Sequence, residues 1–371
     1  EVGGTTWTSG ESATEVSTGD YHTCAVMDDG KMECWGRGAQ GQLGLGNTID
    51  YYSPQSVRTQ FYGGNIPDDY TATSIATGSQ HTCLTIDHPT NPGLAGRAYC
   101  WGANTYGQLG NDHPTNWGPG YSEDEPQLVQ LPSNSVANLG ANEITAGSGH
   151  VCTLMSDGSV YCWGENDRGQ LGDGTTGTTS TPSLVSLPTG RTATAITAGV
   201  KHTCAILDDG LAYCWGEGTF GALGDGSTDN SLTPSPVSIP SGLTVSSISA
   251  ADYGACAVLR DSNTYCWGSN DHGQIGDSST TDRTTPISVV NLPSETTQTA
   301  CSAGTYQAST AQTSCDDADA GYYVGSTAQT SQTACAVGTY QSSTGQSSCD
   351  DADAGYYVGS TASTSQTACA V

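Results

Sequence analysis

Fifteen cysteines are spread along 371 residues, and no two of them form a Cys-x-x-Cys pair. Zinc ribbons and thioredoxin-like redox sites need that close pair, so both chemistries fall away. Cysteines that are spread out and regularly spaced predict disulfides and an oxidising compartment. Four of them follow a histidine by two positions, at His22, His81, His150 and His202. His-x-Cys four times over invites a metal. The competing reading is one hydrogen-bonding side chain repeated at one structural place, because a disulfide-bonded Cys cannot be a thiolate ligand. Two acidic turns, Asp317-x-Asp319-x-Gly321 and Asp351-x-Asp353-x-Gly355, share part of a calcium loop but lack its distal Glu. The expectation is therefore no cofactor and no metal, with calcium at these turns as the alternative. No nucleophile motif, phosphate loop or paired-carboxylate context stands out. No catalytic residue is assigned, and the chain reads as a non-enzyme.

The elements that must position these residues are repeated. His22–Gly36 and its counterparts at 81–102, 150–164, 202–216 and 254–268 each open with a short apolar run. Each then turns at an Asp/Gly-type site, such as Asp208-Asp209-Gly210, and returns through Cys-Trp-Gly. Such a pattern predicts a β-hairpin. The two Cys of a hairpin flank its turn and face each other on adjacent strands. That predicts bridges Cys24–Cys34, Cys83–Cys100, Cys152–Cys162, Cys204–Cys214 and Cys256–Cys266. The tryptophans Trp35, Trp101, Trp163, Trp215 and Trp267 read as packing between repeats. A second signature follows each hairpin: Gly41-Gln-Leu-Gly44, Gly107-Gln-Leu-Gly110, Gly169-Gln-Leu-Gly172, Gly221-Ala-Leu-Gly224 and Gly273-Gln-Ile-Gly276. Polar loops and a Pro-bearing strand come next. Three or four short strands in a unit of about fifty residues describe a propeller blade.

The composition agrees with many small cores. The hydrophobic fraction is 35%, below the roughly 45–50% usual for a globular chain. Nine Lys and Arg stand against 37 Asp and Glu, a formal charge of −28. Nucleic acid and anionic membrane surfaces need a basic footprint, so both are excluded as partners. No apolar run approaches the roughly 18 residues of a membrane span, so no membrane insertion is expected. The chain opens at Glu1 with no basic-then-apolar leader, as a mature secreted protein would.

The repeat resembles that of the regulator-of-chromosome-condensation family, a β-propeller. The family pattern, Gly-x-x-His-Thr, Asp-Gly, Trp-Gly, Gly-Gln-Leu-Gly, appears at 19–44, 78–110, 147–172 and 199–224. A weaker copy at 251–276 has Gly254 in place of His. The resemblance covers about residues 14–293 and implies an all-β propeller, although the family usually closes on seven blades and five repeats are present. Family members that sense ultraviolet light carry Trp in a Gly-Trp-x-His-Thr context. Here the segments read Gly-Asp-Tyr-His, Gly-Ser-Gln-His, Gly-Ser-Gly-His and Gly-Val-Lys-His, so that role is not implied. The family's exchange-factor role needs intracellular partners, which disulfides disfavour, and its chromatin binding conflicts with the acidic charge.

Residues 301–334 and 335–368 are two 34-residue copies, and a third begins at Cys369. They resemble the cysteine-rich repeats of ephrin- and tumour-necrosis-factor-type receptors. The pairing expected there is Cys301–Cys315 and Cys335–Cys349, leaving Cys369 unpaired or intermolecular. Ending within a repeat suggests a longer gene product. The domain division is then 1–297 for the propeller and 298–371 for a small disulfide-rich repeat stalk. The first functional expectation is an extracellular or cell-surface structural protein, a self-assembling subunit of a filament, appendage or stalk, whose partners are other copies of itself. The alternative is an adhesin or protein-binding module that meets cell-surface proteins or glycans through propeller loops. Its contact residues would be Tyr51, Tyr52, Phe61, Tyr62, Trp117 and Tyr121.

Overall fold

A computed structural model describes residues 12–58, 66, 69–88, 90–91, 94–112, 118–132, 139–290, 301–309 and 314–370. The chain divides into two compact units, 1–292 and 293–371. The expected boundary at 297/298 lies outside the described residues.

The first unit is built from five four-stranded antiparallel sheets, each meandering in chain order. Blade 1 holds β1 (Ala13–Thr18), β2 (His22–Met27), β3 (Met32–Gly36) and β4 (Tyr51–Ser56). Blade 2 holds β5 (Thr71–Thr77), β6 (His81–Asp87), β7 (Arg97–Ala103) and β8 (Ser122–Leu128). Blade 3 holds β9 (Ala141–Ala146), β10 (His150–Met155), β11 (Val160–Gly164) and β12 (Thr179–Leu184). Blade 4 holds β13 (Ala193–Ala198), β14 (His202–Leu207), β15 (Ala212–Gly216) and β16 (Ser231–Pro236). Blade 5 holds β17 (Val245–Ala251), β18 (Gly254–Leu259), β19 (Thr264–Gly268) and β20 (Arg283–Ser288). The first strands of successive blades lie side by side: β1 with β5, β5 with β9, β9 with β13, β13 with β17. The second strands β10 and β14 are buried at every residue, as expected of strands covered on both faces.

The core lies between blades rather than within one. The first apolar cluster joins Met32 and Leu43 of blade 1 to Ile75, Leu84 and Trp101 of blade 2. Three further clusters join the later blades in the same way. Four thin cores of this kind need few apolar residues, which explains the low hydrophobic fraction. One hydrogen bond closes each joint. The indole Nε1 of Trp101, Trp163, Trp215 and Trp267 donates to the backbone carbonyl of Gln42, Gln108, Gln170 and Ala222 in the preceding blade, at 2.9–3.0 Å. Gly44, Gly110, Gly172 and Gly224 sit under these rings. A Cβ there would stand 2.6–2.8 Å from the indole nitrogen, so this turn requires glycine.

The five intrablade cysteine pairs are joined across β2–β3 and its counterparts, with Cα atoms 4.1 Å apart. Each pair is directly opposed in register, as in Cys24↔Cys34. The longer turn before Cys100 carries the Cys83–Cys100 pair as well. In the second unit Cys301–Cys315 and Cys335–Cys349 are joined, and Cys369 is free and exposed.

The second unit reveals a shorter period than the 34 residues visible in sequence. Two-residue strand pairs recur at Thr305–Tyr306 with Asp316–Asp317, Tyr322–Tyr323 with Thr333–Ala334, Thr339–Tyr340 with Asp350–Asp351, and Tyr356–Tyr357 with Thr367–Ala368. Successive rungs are bonded by one formula. Gly304, Gly321 and Gly338 donate to the carbonyls of Val324, Gln341 and Val358 at 2.7–2.9 Å. The repeating element is therefore a rung of half the sequence repeat. Alternate rungs differ in their staple. Where rungs one and three carry a disulfide, rungs two and four carry a Gln–Asp pair, Gln332 Nε2 on Asp319 at 2.6 Å and Gln366 on Asp353.

Candidate functional site

The metal readings find no support in the geometry. Asp319 and Asp353 are engaged by the glutamines, and among the described residues no group of three His, Cys, Asp or Glu is gathered for a metal. The histidines have a structural task. His22 Nε2 meets Thr82 Oγ1 of the next blade at 2.8 Å, and His150 Nε2 meets Thr203 Oγ1 at 2.9 Å. The same threonines donate on to the carbonyls of Gln42 and Gln170. The next blades offer Val151 to His81 and Ala255 to His202, and the Nε2 atoms of both histidines are buried without a partner. Burial holds all four imidazoles well below their usual range, His22 and His202 to about 4 and His81 and His150 to about 3. The ring is thus neutral at physiological pH.

One face of the propeller gathers turns and loops from every blade. The β1–β2 turns and β3–β4 loops lie together there, as the bonds Arg37 N to Tyr21 O and Glu217 N to Lys201 O record. At its centre the five β1–β2 turns surround a cleft of about 260 Å³, lined by Thr18–Asp20, Thr77–Ser79, Ala146–Ser148, Ala198–Val200 and Ala250–Asp252. Around it stand side chains from two positions that vary within the constant frame. The residue before each His, or before Gly254, gives exposed Tyr21 and Tyr253. The residue before each Gly-Gln-Leu-Gly turn gives exposed Tyr106 and Phe220. Phe220 and Tyr253 meet edge to face across blades 4 and 5, centroids 5.6 Å apart. Arg37 stands 5.5 Å over the Tyr21 ring. Lys201 bridges blades 4 and 3 through Glu165 at 2.8 Å and Asp167 at 3.1 Å. Phe220 is held at φ +61°, in the left-handed region that disfavours an aromatic residue.

The contact residues expected from sequence divide. Tyr52 is 96% exposed, and Tyr121 is exposed. Tyr51 instead packs against the first core cluster. Phe61, Tyr62 and Trp117 lie outside the described residues. Tyr21, Tyr106, Phe220 and Tyr253 were not anticipated. Their signal was present as hypervariable positions inside a fixed motif, but only the fold shows that those positions share a face.

The chain matches the RCC1-like domain family over residues 2–312. It is 29% identical to the ultraviolet-B receptor UVR8 of Arabidopsis thaliana over 272 residues, which is 73% of this chain and 56% of the receptor. It is 30% identical to the human E3 ubiquitin-protein ligase HERC2 over 268 residues, 71% of this chain and 5% of the ligase. The chain thus spans little more than half of one relative and a small part of the other. Yeast RCC1 (Prp20), in a crystal structure with Kap60, superposes with a TM-score of 0.61 at 19% identity, covering 76% of this chain and 62% of that one. This likeness is one of fold.

Proposed function

Because the chain belongs to the RCC1-like domain family, we propose that it is a protein-binding module, not an enzyme, and that it binds through the face carrying Tyr21, Tyr106, Phe220 and Tyr253. The single observation behind this choice is Phe220. An exposed aromatic residue in the left-handed region costs stability without burying its ring in a core, and such strain gathers at binding sites. Aromatic rings interspersed with Arg and Lys are the usual composition of binding hot spots. Relatives on this fold include one solved with a bound protein, the yeast RCC1–Kap60 complex. The seven disulfides support an extracellular or cell-surface setting, with the cysteine-rich unit as a spacer. The test is a Phe220→Gly variant. It should gain about 1 kcal/mol of stability while losing partner capture by cross-linking from Lys201 in native material. A Phe220→Gly chain that is less stable, or that captures the same partner equally, would show the ring to be structural and remove the reading.

A further inference from the structure

The rings and charges of the turn-and-loop face form one strip across blades 2 to 5. Glu165 of blade 3 lies between Tyr106 of blade 2 and Lys201 of blade 4. A Cβ on Gly149 would meet Tyr106 Cδ2 at 2.8 Å and Glu165 Oε2 at 2.9 Å, and Glu165 Oε1 receives Lys201 Nζ at 2.8 Å. Glu217 of blade 4 stands where Glu165 stands in blade 3, each directly after Trp-Gly. From the following blade it meets the position of Lys201 filled by Tyr253, whose ring turns to Phe220, centroids 5.6 Å apart. Blade 5 thus offers Glu217 a ring where blade 4 offers Glu165 an ammonium. From blade 3, Arg168 Nε stays 3.7 Å away, beyond hydrogen-bond distance. Among the described residues the Glu217 carboxylate accepts one side-chain hydrogen bond, from Thr219 Oγ1 at 3.2 Å, although an ionised carboxylate offers about four acceptor sites. Its side chain is 15% exposed, so a cation seated there would be partly shielded from water, which strengthens the attraction.

Resting on the reading of this face as a protein-binding surface, we propose that the partner presents a basic segment, one lysine of which seats on Glu217 against the Phe220–Tyr253 pair. Lys201 on Glu165 is the template, because the protein fills the same acceptor with its own lysine one blade earlier. Aromatic rings beside the carboxylate add cation–π attraction. Charge complementarity selects the occupant. On the strip three carboxylates, Glu165, Asp167 and Glu217, share two cations, Lys201 and Arg168, and the surplus is negative. Over the whole chain, nine Lys and Arg against 37 Asp and Glu draw a basic partner and repel an acidic one.

The probe is an octalysine peptide, titrated calorimetrically onto the full chain at physiological salt. Glu217→Gln should weaken its binding about tenfold. Asp208→Asn, which removes the same charge from the β14–β15 turn on the other face, should change it less than about twofold. Tyr253→Lys supplies the missing ammonium within the chain, so it should also weaken binding about tenfold. Leu211→Lys, an equal charge on the other face, should not. Equal losses within either pair of variants would mean attraction by net charge alone and would overturn the proposal, as would an octalysine peptide that does not bind. A partner cross-linked from Lys201 that Phe220→Gly releases and Glu217→Gln leaves bound would overturn the basic segment and leave the face standing as a binding surface. Retained buried-tryptophan fluorescence reports that each variant is folded.

Discussion

One hydroxyl decides whether the Nε2 of a buried histidine finds a partner. Thr82 and Thr203 each link a histidine of the preceding blade to that blade's glutamine carbonyl, and Val151 and Ala255 leave His81 and His202 without this link. A buried polar atom without a partner costs about 1–3 kcal/mol. Val151→Thr replaces a methyl group by a hydroxyl of nearly the same size between His81 and Gln108. It should raise stability by about 1 kcal/mol. Thr82→Val should lower it by a larger amount, because it orphans His22. Urea denaturation of the two variants checks both signs, and a destabilising Val151→Thr would contradict this account of the ring. The motif made the histidines visible in sequence. Their partners were not visible, because each lies about 50–60 residues away in the neighbouring blade.

At the scale of the element, the second unit shows two ways to staple one rung. Ala318 and Gln332 stand where Cys301 and Cys315 stand one rung earlier, each displaced by the same rung length. The double substitution Ala318→Cys, Gln332→Cys should therefore oxidise to a new disulfide without rearrangement. Closing a loop of this length is worth up to about 3 kcal/mol. Peptide mapping without reduction identifies the bond, and a pair of free thiols under oxidising conditions would mean that the rungs are not equivalent. The 34-residue period was plain in the sequence because the cysteines alternate. The rung of half that length was masked, since Cys/Cys and Ala/Gln share no chemistry and become equivalent only through their backbone bonds. In the propeller, by contrast, the hairpins were legible, because an opposed cysteine pair around a short turn fixes the register.

For the whole molecule, the four neutral histidines couple propeller stability to pH. Their folded values, about 3 to 4, lie below the roughly 6.5 of an unfolded chain. The unfolded state binds more protons between those limits, so stability is full above about pH 6.5 and is lost as pH falls toward 4 and 3. Glu15, Glu125 and Glu143, raised by burial, act in the opposite sense near the bottom of that window. Four depressed imidazoles outweigh three raised carboxyls down to about pH 5. The urea midpoint of the propeller should therefore drop between about pH 7 and pH 5. The cysteine-rich unit, which contains no histidine, should not follow it. A propeller midpoint unchanged over this range would mean that the histidines are hydrated and free to ionise.

The sequence by itself determined the repeat, the hairpin, the cysteine partners and the propeller class. Those features rest on local periodicity and on residues a few positions apart, where chain connectivity limits the outcomes. Only the tertiary structure decided which varied residues share a face and which histidine Nε2 atoms lack a partner. These depend on what the next blade places opposite a given side chain, and neighbouring blades are related by packing through space. The Cys-Trp-Gly motif shows the division in three consecutive residues. Its cysteine is answered within its own hairpin, and its tryptophan only by the blade before it.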